Sequence, residues 1–274
     1  HIENVVGHWK GKVAEWDVCN EVLSDDQSAV RTDPNAYTLR PSVWQSIGED
    51  FLDSAFVWTH RADPDAVLLL NDYGVEFKGK AKAEAFYNLA KKLKERGVPI
   101  HGVGLQSHLD VGAIEVRNME ANIKRYNDLG LKCVITELDL GCDKNDYNFI
   151  QQARDYYSIS RLAMLADNCN ELMIWGLDDG ITWRKDRNPL LYDSQLNAKP
   201  AYYGAHAALR QTAETSAIID MDAMPETKPG KVVAIEYYNM QGQRMAQPAD
   251  STLYIEVVRY DNGMVKARKL KNTK

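Results

Sequence analysis

Two glutamates of this sequence, Glu21 and Glu137, are suited to acid, base and nucleophile chemistry. They lie far apart along the chain, but each is found where a predicted β-strand ends. A carboxylic acid can protonate a leaving oxygen while a second carboxylate attacks the carbon that the oxygen leaves. Cleavage of a glycosidic bond with retention of configuration needs such a pair about 5 to 5.5 Å apart. Glu21 and Glu137 could therefore supply the two carboxyl groups of a hydrolytic site.

A histidine and an aspartate can join this pair. Glu137 and Asp139 are two positions apart on an extended segment, so their side chains share one face of the strand. His108 ends the preceding predicted strand and could reach both carboxylates. We therefore expect His108 and Asp139 to support the two glutamates.

Alternating strands and helices must position these residues. Runs rich in Val, Ile and Leu predict strands, and segments with apolar residues at helical spacing lie between them. Continuously apolar strands that alternate with helices predict a parallel sheet covered by helices. The predicted strands span residues 13–19, 67–70, 102–105, 132–136 and 171–175, and the predicted helices span residues 43–61, 80–96, 116–129, 148–166 and 200–212.

Polar residues are found where each predicted strand ends. The first strand is followed by Asn20 and Glu21, the second by Asn71 and the third by Gln106. The carboxyl edge of a parallel sheet is where α/β barrels build their sites. The strand ends therefore predict one shared site rather than unrelated surface carboxylates.

The composition excludes several classes of protein. The chain has 33 Lys and Arg against 39 Asp and Glu, a net charge of −6, and no recurring basic stripe, so nucleic acid is not an expected partner. The longest central apolar run, residues 66–70, is too short for a membrane span. No C-x-x-C pair occurs, so neither a zinc site nor a disulfide framework is expected from the four cysteines, Cys19, Cys133, Cys142 and Cys169.

Several motifs occur in the order and spacing found in the endo-xylanases of glycoside hydrolase family 10, which residues 1–212 resemble. They are WDVCNE at 16–21, NDY at 71–73, QSH at 106–108, ITELD at 135–139, WR at 183–184, PLLYD at 189–193 and KPAYY at 199–203. The resemblance implies an α/β protein with a (β/α)8 TIM barrel. It also implies that Glu21 is the acid/base and Glu137 the nucleophile.

The resemblance assigns roles to residues near the two glutamates. His108 is expected to hydrogen-bond the nucleophile and to be held by Asp139, which would orient Glu137 and keep it ionised. Asn20 is expected to bind the sugar 2-hydroxyl at the cleavage subsite. Gln106 is expected to contact either the nucleophile or the same sugar.

Further residues are expected to contact the substrate. Trp175 and Trp183 match tryptophans that wall the substrate cleft in the family, where a flat apolar face suits a pyranose ring. Tyr73 matches a tyrosine on the substrate side, and Asn71, two residues earlier, is included among the substrate-binding residues. The implied mechanism requires no metal or organic cofactor.

Some positions depart from the family pattern. Gly74 stands where an asparagine is common, Ser107 where glycine is usual and Cys19 where a small aliphatic residue is usual. Counted against the family, residues 13–19 are the fourth barrel strand, so the barrel is expected to be incomplete in this chain, with its first three strands missing. We expect that an upstream, N-terminal part of the same barrel is a partner of this chain.

The last part of the chain has a different character. Residues 213–230 predict a linker, and residues 231–274 predict a small all-β appendage with strands at 232–238, 253–259 and 264–269 and turns at 241–243 and 261–263. The appendage resembles the C-terminal sorting domains of type IX secretion. A plain accessory β-module is the alternative.

The leading hypothesis is a retaining endo-β-1,4-xylanase that acts on internal bonds of xylan or xylo-oligosaccharides. A cellulase-like or mixed β-1,4-glycanase of the same family is the first alternative, and a non-catalytic carbohydrate-binding relic is the second. Because a polymer such as xylan cannot enter a cell, we expect a secreted, cell-surface or periplasmic protein.

Overall fold

A computed structural model describes residues 1–216, 231–239, 243–248, 253–260 and 265–271. Within these residues the larger sheet is parallel, with the strand order β1-β2-β3-β5-β6, and the short strand β4 pairs with the far end of β5. Its strands are β1 (Glu15–Asn20), β2 (Val67–Asp72), β3 (Gly102–Leu105), β4 (His108–Asp110), β5 (Lys132–Gly141) and β6 (Leu172–Ile174).

Helices connect these strands, as parallel pairing requires. They are α1 (Ile2–His8), α2 (Phe51–Ala62), α3 (Ala81–Glu95), α4 (Val116–Asp128), α5 (Phe149–Leu165) and α6 (Pro200–Ser216). Strands and helices alternate in the chain except between β3 and β4, and the strands β1, β2, β3, β5 and β6 are neighbours in the sheet in that order. The architecture is that of an incomplete (β/α)8 barrel, which confirms the fold class expected from the sequence.

The hydrophobic core lies between the sheet and the helices. All residues of β3 are buried, and so is β5 from Cys133 onward. A sheet that is covered by helices has both strand faces buried, which explains the continuously apolar strand sequences. On the helix side, Phe86 of α3 and Tyr126 of α4 pack edge to face with ring centroids 6.4 Å apart. This contact holds α3 and α4 against each other beside the sheet whose strand ends carry the candidate site.

Several observed boundaries differ from the predicted ones: β1 and β2 include Asn20 and Asn71, and the short strand β4, which begins at His108, was not predicted. β5 continues past Thr136 to Gly141, so Glu137 and Asp139 lie inside the strand and not after it. The helix predicted over 43–61 begins at Phe51, because Gly48 adopts a φ of 142° that a helix cannot include. α1 was not predicted.

The predicted linker over 213–230 was wrong at its start. Helix α6 continues to Ser216, and residues 212–216 include no proline or glycine that would end it. Residues 217–230 lie outside the described residues.

A small antiparallel sheet forms the last described part of the chain, as expected. Its strands are β7 (Val232–Tyr238), β8 (Arg244–Met245), β9 (Leu253–Tyr260) and β10 (Val265–Lys271), in the order β10-β9-β7-β8. Glu236 of β7 pairs with Arg244 at 3.3 Å and with Arg259 at 3.1 Å. The turn predicted at 261–263 and most of the turn predicted at 241–243 lie outside the described residues.

The four cysteines, all within the described residues, are free and buried thiols. Burial raises the pKa of Cys19 to about 12, so this thiol stays protonated and packs as a small apolar side chain. Among the described helices, none combines the length and the apolar composition that a membrane span needs.

Candidate active site

Asn20 is the last residue of β1, and Glu21 follows it directly. Glu21 has a φ of 54°, a left-handed conformation that residues other than glycine rarely adopt, and its N–H donates to the carbonyl oxygen of Asn71 at 2.9 Å. The strand therefore ends in a tight bend that is tied to β2. Backbone strain of this kind is concentrated at functional sites.

His108 lies between the carboxylates of Glu137 and Asp139. Its Nε2 is 3.2 Å from Glu137 Oε2, and its Nδ1 is 3.0 Å from Asp139 Oδ2. Burial lowers the pKa of His108, but the hydrogen bonds and charges of Asp139 and Glu137 outweigh it, so the pKa lies above its ordinary value. When protonated, the imidazolium can donate to both carboxylates at once.

Asp139 is fully buried and anchors this arrangement. Besides His108, it accepts hydrogen bonds from Trp183 Nε1 at 2.8 Å and from Arg184 Nη1 at 2.7 Å. Arg184 also donates to the carbonyl oxygen of Leu109 at 3.0 Å. Both carboxylate oxygens of Asp139 are thus occupied, which fixes the ring orientation of His108.

Three side-chain amides link the two glutamates. Asn71 Nδ2 donates to Glu137 Oε1 at 2.8 Å and to Asn20 Oδ1 at 2.9 Å. Gln106 Nε2 donates to the same oxygen of Asn20 at 3.1 Å and to Glu21 Oε1 at 3.3 Å. Asn20 therefore lies between the two carboxylates, and each carboxylate is held by an amide donor on a different strand end.

The position of Asn71 depends on its neighbours in the sheet. Asn71 is buried, and its Oδ1 accepts from the Thr136 hydroxyl at 2.8 Å, which assigns its Nδ2 to the carboxylate side. A Cβ atom on Gly104 would lie 2.1 Å from Asn71 Oδ1, so only glycine leaves room for this amide. The sequence predicted that Asn71 contacts substrate, which stays a prediction; in the structure its Nδ2 holds Glu137 and Asn20 and its Oδ1 is bonded to Thr136.

Gln106 was expected to contact either the nucleophile or the same sugar as Asn20, and its observed side-chain partners are Asn20 and Glu21. Its side chain reaches Glu21 and Asn20, and its link to the other glutamate is through the backbone, where the Glu137 N–H donates to the Gln106 carbonyl at 3.1 Å. Gln106 is therefore a neighbour of the expected acid/base rather than of the nucleophile's carboxylate.

Sequence reasoning missed Arg40, which contacts Glu21 directly. Its Nη1 is 3.1 Å from Glu21 Oε2, and its Nη2 donates to the Tyr73 hydroxyl at 3.0 Å. Arg40 lies in an irregular segment before α2, where no periodicity indicates which way a side chain points. A basic residue in a long connection after a catalytic strand is the weak signal that was available.

Tyr73 is held from several sides. Its hydroxyl donates to Asp25 Oδ1 at 2.6 Å, and Lys82 Nζ lies 3.4 Å from its ring centroid. Lys82 also pairs with Asp25 and with the buried Asp72, each at 3.0 Å. These contacts therefore hold the Tyr73 side chain in place beside Arg40 and Glu21.

Trp175 and Trp183 lie beside His108 and are open to solvent. Their ring centroids are 6.3 and 5.1 Å from that of His108, both edge to face. Trp175 is 49% exposed and Trp183 is 65% exposed, so both present apolar surface next to the carboxylates. Such surface can receive a sugar ring.

The arrangement supports two-carboxylate chemistry. Glu137 is nearly buried and held by Asn71 and His108, whereas Glu21 is more open and held by Arg40 and Gln106. Within the described part of the chain, no group of three or more His, Cys, Asp and Glu side chains is arranged to hold a metal ion. The site therefore combines one nearly buried, fixed carboxylate with a second that is more open to solvent.

Comparison with known proteins points to one family. The model of the family described as "Glycosyl hydrolase family 10" matches residues 1–208. The "Beta-1,4-xylanase" of Dictyoglomus thermophilum is 38% identical over 224 residues, which cover 74% of this chain and 60% of that protein. The "Exoglucanase XynX" of Acetivibrio thermocellus is 39% identical over 214 residues, which cover 74% of this chain and 19% of that protein.

Solved structures agree with the sequence matches. Xylanase 10B from Thermotoga petrophila, crystallised in complex with xylobiose, superposes with a TM-score of 0.70 at 36% identity. The match covers 78% of this chain and 65% of that chain. The chain thus spans less than two thirds of the length of these relatives.

Proposed function

This chain belongs to glycosyl hydrolase family 10, and we propose that it is a retaining endo-β-1,4-xylanase that hydrolyses internal bonds of xylan or xylo-oligosaccharides. One observation carries the proposal: the amides of Asn71 and Gln106 hold Glu137 and Glu21 on either side of Asn20, with His108 on the far side of Glu137. The named activities of the family relatives support xylan as the substrate class.

In the first step, Glu21 donates its proton to the glycosidic oxygen while a Glu137 oxygen forms a bond to the anomeric carbon. The carbon–oxygen bond to the leaving sugar breaks, and a covalent glycosyl-enzyme remains. In the second step, Glu21 removes a proton from water as the water oxygen attacks the same carbon and Glu137 leaves. Two inversions give net retention.

The neighbouring residues serve these two steps. Asn71 and His108 direct the carboxylate of Glu137 toward the anomeric carbon and stabilise it when it leaves. Asn20 is placed between the glutamates to meet the sugar 2-hydroxyl, and Trp175 and Trp183 give the ring an apolar wall. Tyr73 and Arg40 lie on the Glu21 side, where the leaving sugar would be.

We also propose that further β/α units close the barrel around this site. In the described residues, β1 and β6 each pair with one strand only, and unpaired strand edges leave backbone donors and acceptors without partners. Activity is therefore best measured on the chain alone and on a reconstituted barrel. The reconstituted barrel is the chain mixed with the part of a family relative that this chain does not cover.

The test is reducing-sugar release from xylan, with proton NMR of the first product. The proposal expects release in the reconstituted barrel, early appearance of the β-anomer, and no release when Glu137→Gln replaces the native chain. Asp63→Asn, at a buried carboxylate near the amino end of β2, is a matched control that should remain active. Early α-anomer, or equal release from the Glu137 variant, would contradict the proposal.

A second candidate is a β-1,4-glucanase or mixed glycanase, favoured by the name of the exoglucanase relative. The two candidates differ only in whether a hydroxymethyl group is accepted at each sugar. The ratio of kcat/KM for xylohexaose to that for cellohexaose separates them. A ratio above one supports the xylanase, and a ratio below one supports the glucanase.

The substrate implies export, so we propose a secreted or cell-surface protein. In addition, the resemblance of residues 231–274 to type IX sorting domains suggests the route. Deleting these residues in a host with that pathway should then retain the protein inside the cell envelope. If the shortened chain is exported as well as the full chain, the small sheet is an accessory module and not a sorting domain.

A further inference from the structure

A buried glutamate outside the two-carboxylate site, Glu76, contacts the segment that carries His108. Glu76 follows β2 and is 1% exposed, and its Oε1 accepts the backbone N–H of Ser107 at 2.9 Å. Burying a carboxyl group is unfavourable unless hydrogen bonds compensate. The backbone N–H of Ser107 is such a compensating donor.

Ser107 has an unusual backbone. Its φ is 63°, although it carries a side chain, and it is fully buried. On one side its N–H binds Glu76, and on the other its carbonyl accepts the Asp139 N–H at 3.3 Å. The left-handed conformation of this residue is thus held from both ends.

This bend sets where two active-site side chains lie. Leu105 pairs with Ile135 and His108 pairs with Asp139, so β5 has one residue more than the opposing segment between these two points. The extra residue lies in β5, which is also one residue longer than β6 over this stretch, and Gln106 and Ser107 are the two residues that face it. It lets Gln106 reach Glu21 while His108 reaches Glu137.

Helix α4 holds the backbone segment that carries Glu76. Asn122 of that helix is fully buried, and its Nδ2 donates to the carbonyl oxygens of Val75 at 2.8 Å and Glu76 at 3.1 Å. Asn122 Oδ1 accepts from Arg125 Nε at 2.8 Å. The carboxylate of Glu76 therefore projects from a segment that α4 holds in place.

We propose that Glu76 is a positioning residue, whose carboxylate holds Ser107 in its left-handed conformation and thereby places Gln106 and His108 against the two active-site glutamates. The kinetic consequences rest on the proposed hydrolysis. The placement of His108 by Glu76 does not depend on that proposed reaction. Burial raises the pKa of Glu76, while the Ser107 N–H and the nearby His108 act in the opposite direction, in agreement with a contact at this place.

Four variants separate positioning from general stability. Glu76→Gln keeps an oxygen acceptor for Ser107, Glu76→Leu removes it, and Glu76→Asp keeps the charge but withdraws it by one methylene. Asp63→Leu is the matched control, because Asp63 is also 1% exposed and accepts one backbone N–H, that of Gly11 at 3.2 Å, far from the site.

The first readout is the NMR signal of the His108 ring N–H that faces Asp139, which needs neither substrate nor activity. Measured in the reconstituted barrel, a downfield, slowly exchanging signal is expected with the native chain, with Glu76→Gln and with Asp63→Leu. The signal should shift or disappear in Glu76→Asp and Glu76→Leu. An unchanged signal in folded Glu76→Asp would overturn the proposal, even if Glu76→Leu does not fold.

The second readout is kcat on an activated aryl xylobioside in the reconstituted barrel. Misplacing catalytic side chains by about 1 Å can cost 100-fold, so we expect a loss of about tenfold in Glu76→Asp and about 100-fold in Glu76→Leu. Glu76→Gln should stay within about threefold, because it keeps the acceptor. KM should change less than kcat.

The two proposals fail in different ways. A native protein without hydrolytic activity contradicts the proposed function, but the His108 signal still decides the role of Glu76. If Glu76→Leu and Asp63→Leu lose equal stability and both keep kcat and the His108 signal, Glu76 is an ordinary structural residue and the inference is wrong.

Discussion

The contacts of His108 determine the direction in which its pKa is shifted. Two carboxylates, 3.0 and 3.2 Å from its ring nitrogens, raise its pKa above the ordinary value despite partial burial. A group whose pKa is raised on folding binds its proton more tightly in the native state. Its contribution to stability is full below the unfolded pKa and is lost as the pH rises through the folded pKa.

A pH-dependent stability therefore follows. As the pH rises from about 6.5, the ordinary histidine value, the free energy of unfolding of the native protein should fall more than that of His108→Gln. Urea unfolding of both proteins at several pH values measures the difference. A difference that stays constant or grows with pH would contradict the proposed pairing.

The two glutamates should respond differently to the leaving group. Glu137→Ala should abolish turnover of every substrate, because no nucleophile remains. Glu21→Ala should lose about 100- to 10,000-fold on xylan but retain turnover of aryl xylosides whose leaving groups need no proton. Steady-state rates on xylan and on a dinitrophenyl xylobioside test this. Equal losses in both variants on the aryl substrate would refute the division of roles.

At the scale of elements, the site depends on the close approach of β2 and β3. The Gly104 backbone lies against the Asn71 side chain, and an added Cβ would also come within 2.9 Å of Thr136 Cγ2. Any side chain at position 104 must therefore displace the amide that holds Glu137. The close spacing of β2 and β3 therefore determines where the Asn71 amide can hold the Glu137 carboxylate.

Gly104→Ala should destabilise the protein by about 1 to 3 kcal/mol, since overpacking forces neighbouring atoms to move. It should also reduce activity, because Asn71 is displaced. Gly7→Ala in α1 is the control: nothing lies within 4 Å of its added Cβ, and the change should stabilise by about 0.5 kcal/mol. Thermal unfolding of both variants measures the two effects, and a Gly104 variant as stable as the Gly7 variant would show the contact to be unimportant.

The sequence predicted elements better than it predicted contacts. Strands such as β3 were placed at their observed ends because a buried parallel strand is apolar along its whole length. Glu137, His108 and Asp139 could be grouped because strand ends share an edge and alternate residues share a face. Periodicity carries no information about irregular segments, so the contacts of Arg40 and Glu76 could not be predicted. They depend on loops that only the folded chain brings together.

On the scale of the whole molecule, the described parallel sheet has two outer strands, β1 and β6. Large apolar side chains near α1 and α2 are also open to solvent, among them Trp9, Trp44 and Trp58. Exposed strand edges and apolar patches favour association with further chain. Closure of the barrel would pair the open edges of β1 and β6.

The chain expressed alone should therefore be poorly soluble and release little sugar from xylan. Adding the complementary polypeptide of a family relative should raise the unfolding temperature and the rate of release together, because both follow from closing one sheet. Size-exclusion chromatography, thermal unfolding and the xylan assay check this on the same samples. Full activity of the 274-residue chain alone would mean that the open edges do not matter.

In the proposed hydrolysis, Glu137 forms a covalent bond to the sugar while Glu21 supplies and removes the proton. Mass spectrometry after incubation with a 2-deoxy-2-fluoro xylobioside carrying a good leaving group tests it most directly, because the fluorine slows hydrolysis of the intermediate. One added fluoro-xylobiosyl group is expected, located on the peptide that contains Glu137 and absent in Glu137→Gln. A label on Glu21, or hydrolysis of xylan with no label on Glu137, would contradict it.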